Sequence, residues 1–153
     1  MSQRTPPLAH ASQSICEAGS VAGINTKQDL DAFYRRYNAC CNAHEFDRLG
    51  EFVASDVQVN GEVQGLRDYA QGLEGVVQAF PDYRWDLRHL LVDGQWLGAH
   101  FIDTGTHAAT FLDVSATGRV VTTQEFALYR VDASRIVEVW GTADNLRVLQ
   151  NLR

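Results

Sequence analysis

Two dipeptides restrict this chain more than anything else in it. Asn60-Gly61 and Asp93-Gly94 each stand between segments in which apolar and polar residues alternate. Such pairs suit a two-residue hairpin, whose central positions need positive φ, and the alternation around them suits strands with one buried face. The residues flanking Asn60-Gly61 form the first hairpin. Residues 83–92 and 95–107 form a second around Asp93-Gly94, and residues 119–131 and 136–142 form a third through Asp132-Ala-Ser.

Ahead of and among these strands the period changes to that of a helix. Leu30, Phe33, Tyr34, Tyr37 and Cys41 recur at helical spacing, with Asn25 or Thr26 placed to cap, which predicts a helix over 27–43. A short helix is expected over 46–53. Another over 66–80 is stopped by Pro81, and a last one over 145–152 has Asp144 at its N-cap. Helices followed by hairpin-linked strands give an α+β domain: a curved antiparallel sheet wrapped around N-terminal helices, cone-shaped, with a pocket in its hollow. Residues 1–26 are rich in Ser, Ala, Gly and Pro without a period and read as a disordered tail. The domain is therefore expected over 27–153.

Charge and cysteine content narrow the partners. A net charge of −6 would repel a phosphate backbone, so nucleic acid is not expected. No stretch reaches the roughly 20 apolar residues of a membrane span. Cys16, Cys40 and Cys41 follow no zinc spacing, and two of them are adjacent, so no metal site and no local disulfide is expected. Reduced thiols imply a soluble protein of the cytoplasm.

The order of several short motifs carries a resemblance. Phe80-Pro-Asp-Tyr-Arg-Trp85, Gly105-Thr-His107 with Phe111-Leu, Thr117-Gly-Arg-Val-Val and Arg135-Ile-Val-Glu-Val-Trp140-Gly-Thr-Ala-Asp144 through Leu149-Gln-Asn-Leu152 resemble the SnoaL-like polyketide cyclases over residues 30–153. Two turns depart from the family pattern: Ala-Ser after Asp132, and no glycine before Phe111. The resemblance implies the cone of the nuclear transport factor 2 fold and an intramolecular aldol closure of a small hydrophobic, polyketide-derived molecule. No cofactor is implied, and a homodimer is. It assigns the acid/base to Asp144, whose other reading is the N-cap of the last helix; the two are compatible.

Further candidates come from the residues themselves. His100 and His107 are seven apart on one strand and so face opposite ways; His107, in the Gly-Thr-His motif, is favoured as the hydrogen-bonding partner. Gln124 shares parity with Phe126 and Leu128 and is a candidate to orient a carbonyl, with Glu125 on the other face. Trp140, Trp85, Tyr34 and Tyr37 are candidate aromatic walls, with Asn38 as a polar contact and Phe126 and His100 as further lining. Glu138 is expected to pair with Arg130 or Arg88. Two rival readings stand beside the cyclase. One is an epoxide hydrolase or epoxide-opening cyclase using Asp103, Glu125 and Arg88 or Arg130. The other is a non-catalytic, dimeric ligand-binding module.

Overall fold

The computed structural model describes residues 26–153; the expected tail and Cys16 lie outside the described residues, apart from Thr26. Helix α1, Lys27–Asn42, begins at a capping box. The Thr26 hydroxyl accepts from Asp29 N at 3.0 Å and the Asp29 carboxylate from Thr26 N at 3.2 Å, which satisfies amides that open every helix. Its buried stripe is Leu30, Phe33, Tyr34, Tyr37, Cys40 and Cys41. A 3-10 turn, Phe46–Glu51, leads into strand β1, Val53–Val59, which starts earlier than the alternation suggested.

The remaining elements are β2 (Glu62–Val63), α2 (Leu66–Ala79), β3 (Arg84–Asp93), β4 (Trp96–Thr106), β5 (Val120–Asp132), β6 (Arg135–Ala143) and α3 (Asn145–Leu152). The sheet order is β2-β1-β6-β5-β4-β3, a curved, unclosed sheet of six strands. Every pairing but one is antiparallel. The exception within this antiparallel sheet is β1, which runs parallel to β6, because the last strand reaches it after the whole meander rather than through a hairpin. At the first turn Asn60 and Gly61 both have positive φ, and the Asn60 side chain accepts from Gly141 N at 3.0 Å, tying the hairpin to β6. The third turn puts Ala133 and Ser134 at φ +45° and +62°, left-handed backbone that non-glycine residues adopt only at a cost.

Strict alternation along β4 buries Leu97, Ala99, Phe101, Asp103 and Gly105, and β5 likewise buries Val121, Thr123, Ala127, Tyr129 and Val131. This odd-numbered face packs on α1. On β6 the parity breaks. Glu138 pairs with Arg130 but Ile136 with Val131, so Val137 is an extra residue. Ile136 and Val139 are therefore both buried, three positions apart, and Trp140 is thrown to the outer face. Helix α2 turns Tyr69, Leu73 and Val76 toward the sheet, yet these stay half-buried. They border space instead of packed side chains.

Candidate functional site

Two adjoining chambers occupy the hollow between the sheet, α1 and α2. The first, about 150 Å³, is walled by Tyr34, Tyr37, Tyr69, Tyr129 and Trp85, with Asn38 and Cys41 from α1. The second, about 170 Å³, lies toward Phe80, Phe111, Val121 and Val148. Leu73, Trp85, Glu125 and Ala143 line both, so Glu125 stands at the junction. The Trp85 indole is held in place through its own backbone. Asn42 accepts from Trp85 N at 2.8 Å and donates to Trp85 O at 2.9 Å, clamping β3 to α1.

Behind Glu125 lies Asp103, which has no exposed surface. Register places Phe101 opposite Glu125 and Asp103 opposite Thr123, which makes Asp103 and Glu125 diagonal neighbours on the inner face. Asp103 Oδ2 accepts from the Tyr83 hydroxyl at 3.2 Å, while Oδ1 is buried with no donor pointed at it. An ionised oxygen there would be desolvated and unpaired. Protonated, it can donate to Glu125. Burial, then the hydrogen bond and charge of Glu125, drives the Asp103 carboxyl far above the usual carboxylate range. Burial also raises Glu125, with the donated hydrogen bond from Asp103 working in the opposite direction. Burial thus favours the neutral form of both carboxyls, and one proton can bridge the pair.

The phenols around the first chamber are locked in their neutral form. Burial raises Tyr34, Tyr37, Tyr69 and Tyr129 alike. The Tyr37 and Tyr69 oxygens are 2.5 Å apart, and the fully buried Tyr34 hydroxyl lies beside that of Tyr129, without a well-formed hydrogen bond among the described residues. Cys41 is pushed up to about 12 by burial, so it lines the wall as a thiol and not as a nucleophile.

Of the residues singled out in the sequence, Tyr34, Tyr37, Asn38 and Trp85 line the first chamber. Asp144 does not. Its carboxylate accepts from Arg147 N at 3.0 Å as the N-cap of α3 and is exposed. Only its backbone carbonyl turns inward, accepting from Thr123 Oγ1 at 3.5 Å. Gln124, Phe126 and His100 are corrected to the outer face. Both faces of β5 carry apolar side chains, so apolar parity pointed to the wrong one. Trp140 joins them there because of the Val137 bulge. Outside, His100 stacks on Phe126 at 4.6 Å and bonds Gln124 at 3.0 Å. His107 is fully buried but borders neither chamber. Its Nδ1 accepts from Thr117 N at 3.2 Å, its ring lies 5.2 Å from that of Phe80, and its Nε2 has no partner.

Glu138 does pair with Arg130, at 2.8 Å, and accepts from Trp140 Nε1 at 2.6 Å. Arg88 pairs with Asp86 at 2.7 Å. Both arginines are thereby engaged elsewhere, and no arginine lines either chamber among the described residues. Tyr69, Tyr83 and Tyr129 were not picked out in advance. The signal was present in part: Tyr129 shares parity with Glu125, and Asp103 interrupts an otherwise apolar or small inner row. Among the described residues, no group of three or more His, Cys, Asp or Glu is arranged to hold a metal ion, and no helix is long and apolar enough to cross a membrane.

Comparison with known proteins gives these features a context. The family model of SnoaL-like polyketide cyclases matches residues 31–152. A solved SnoaL-like polyketide cyclase of Agrobacterium tumefaciens C58 is 30% identical. It superposes with a TM-score of 0.73 over 81% of this chain and 98% of its own. IdmH of Streptomyces antibioticus, 22% identical, gives 0.72 over 80% and 96%. TsrD of Streptomyces laurentii, 15% identical, gives 0.76 over 83% and 96%. The last two show a shared fold. No curated protein sequence matches the chain.

Proposed function

Since the chain belongs to the SnoaL-like polyketide cyclase family, we propose that it is an acid–base catalyst of cyclase type, closing a ring in a small hydrophobic, polyketide-derived molecule with Glu125 as the base. The observation that carries this reading is a buried carboxyl pair, Glu125 at the junction of two apolar-walled chambers with Asp103 behind it, in which one shared proton held on Asp103 leaves Glu125 to act as the base. The Glu125 carboxylate takes a proton from carbon flanked by carbonyls, and the C–H electron pair becomes an enolate. The enolate carbon attacks a carbonyl carbon of the same molecule, and the displaced π pair forms an alkoxide. Glu125 then returns its proton to that oxygen, so no net proton is consumed. Neutral tyrosine hydroxyls of the first chamber donate to the enolate oxygen. Asp103, held by the Tyr83 hydroxyl, positions Glu125 from behind and does not touch the substrate.

The test sets Glu125 against Asp144, the family's expected acid/base. In a cyclisation assay on a polyketide methyl ester, Glu125→Gln is expected to stop turnover and Asp144→Ala to preserve it. Loss of the cap should lower stability by about 1 kcal/mol, readable as a small drop in melting temperature. Turnover lost in Asp144→Ala with little change in melting temperature would move the chemistry to position 144. The epoxide reading has its two carboxylates in Asp103 and Glu125 but, among the described residues, no arginine lining the chambers beside them.

A homodimer belongs to the same proposal. Leu91 of β3, Phe126 and Leu128 of β5 and Trp140 of β6 are 75%, 61%, 42% and 41% exposed on the outer face, meeting across Gly98 of β4 in an apolar patch that a second copy would cover. Sedimentation should give a dimer, and Phe126→Glu should shift it to monomer. A monomeric parent chain at micromolar concentration would sink the idea.

A further inference from the structure

The two chambers differ in chemistry in a way that the acid–base reading does not use. The first presents hydroxyls. Tyr34 packs on Tyr129 with ring centroids 4.9 Å apart, and Tyr37 and Tyr69 share one short hydrogen bond. The second presents carbon. Leu73, Val76, Phe80, Phe111, Val121 and Val148 form its walls. Its lining residues with polar side-chain atoms are Tyr83, Trp85, Glu125 and Asn145, and the Tyr83 hydroxyl is already committed to Asp103. A carbonyl or phenol placed in this second space would lose its hydrogen bonds to water and regain few of them. A hydrocarbon group would lose nothing.

We propose that the second chamber is a specificity subsite for an aliphatic arm of the substrate, the oxygen-bearing rings lying in the first chamber, so that the carbon joining the two parts is held at Glu125. The proposal rests on the acid–base reading for its choice of reacting carbon, but not for the subsite itself. Size follows from volume. A dry cavity of about 150 Å³ lined by Leu, Ile and Phe accommodates a six-carbon ring, so the roughly 170 Å³ here suits an arm of up to about six carbons. Phe111 and Val148 set the far limit. Phe111 meets Phe80 edge-on at 5.1 Å, and Val148 is a buried residue of α3. Neither belongs to the Asp103–Glu125–Tyr83 group.

The probes are 2-hydroxy-1,4-naphthoquinone and its 3-n-alkyl derivatives from methyl to decyl, titrated into the full chain by calorimetry. Affinity should rise about fourfold per methylene, the value of burying one such group. The rise should stop near six carbons. Val148→Phe should end it several carbons sooner, and Phe111→Ala, which removes bulk without adding any, should extend it. Affinity independent of arm length, or a length limit unmoved in a folded Phe111→Ala chain, overturns the subsite. Repeating the series in Glu125→Gln separates the two claims. If the length dependence survives there while turnover is undiminished, the acid–base reading fails and the subsite stands. If turnover is lost but length never mattered, the converse holds.

Discussion

Glu125→Gln is expected to lower kcat by about 10²- to 10⁴-fold, the range general acid–base catalysis supplies, while the chain stays folded. Glutamine keeps the shape and one carbonyl oxygen of glutamate, so the walls of both chambers survive, and what goes is the ability to accept a proton. The variant should still bind the hydroxynaphthoquinone probes, because the groups proposed to hold them are tyrosine hydroxyls and apolar side chains. Activity and binding therefore separate: kcat collapses and affinity for an inert ligand is retained. Its melting temperature should not fall, since a carboxyl that burial disfavours has been replaced by a neutral amide. Turnover within tenfold of the parent chain in a folded Glu125→Gln variant would remove the shared proton from the mechanism.

The architecture was legible in the sequence because local chemistry and the fold agree. Asn60-Gly61 marks a real turn, the helical period of Leu30 to Cys41 is the buried stripe of α1, and Thr26 does cap it. The second turn falls one residue later than expected, on Gly94-Gln95 between the paired Asp93 and Trp96. The parallel pairing of β1 with β6 was not legible, since nothing local records which strand a returning strand meets. The site was half legible. Tyr34, Tyr37, Asn38 and Trp85 sit where helix and strand periods put them, facing the hollow. Two features hid the rest. Strand β5 is apolar on both sides, with Phe126 and Leu128 outside and Ala127 and Tyr129 inside, so its inner face could not be chosen from hydrophobicity. One bulged residue, Val137, then reversed the parity that would have turned Trp140 inward. For Asp144 both readings were open in the sequence, and the geometry favours the cap: the residue that opens a helix aims its carboxylate at that helix's own amides.

Asp103→Asn should make the protein more stable at alkaline pH and at the same time erase the alkaline limb of its activity profile. In the unfolded chain Asp103 titrates near the ordinary 3.9; in the fold, burial and Glu125 raise it far above that. Between those two values the native state binds a proton that the unfolded state has released. Stability therefore falls as pH rises through the window, and below pH 4 the contribution is fully present. Asparagine imposes no such loss. It also reproduces the protonated acid, its carbonyl accepting from the Tyr83 hydroxyl as Oδ2 does and its amide donating toward Glu125 in place of the shared proton. The variant should match the parent in stability near pH 4. By pH 8 to 9 it should melt several degrees higher, at about 2–4 °C per kcal/mol for a chain of this size. Activity in the parent should rise with pH as Glu125 ionises, above the usual glutamate range, and fall again as Asp103 loses its proton. In the variant the rise should remain and the fall should vanish. Thermal melts and kcat profiles taken over pH 4–10 on both chains decide this. An alkaline limb that persists in Asp103→Asn, or a variant that melts below the parent at pH 9, would mean that the proton behind Glu125 is not held at position 103.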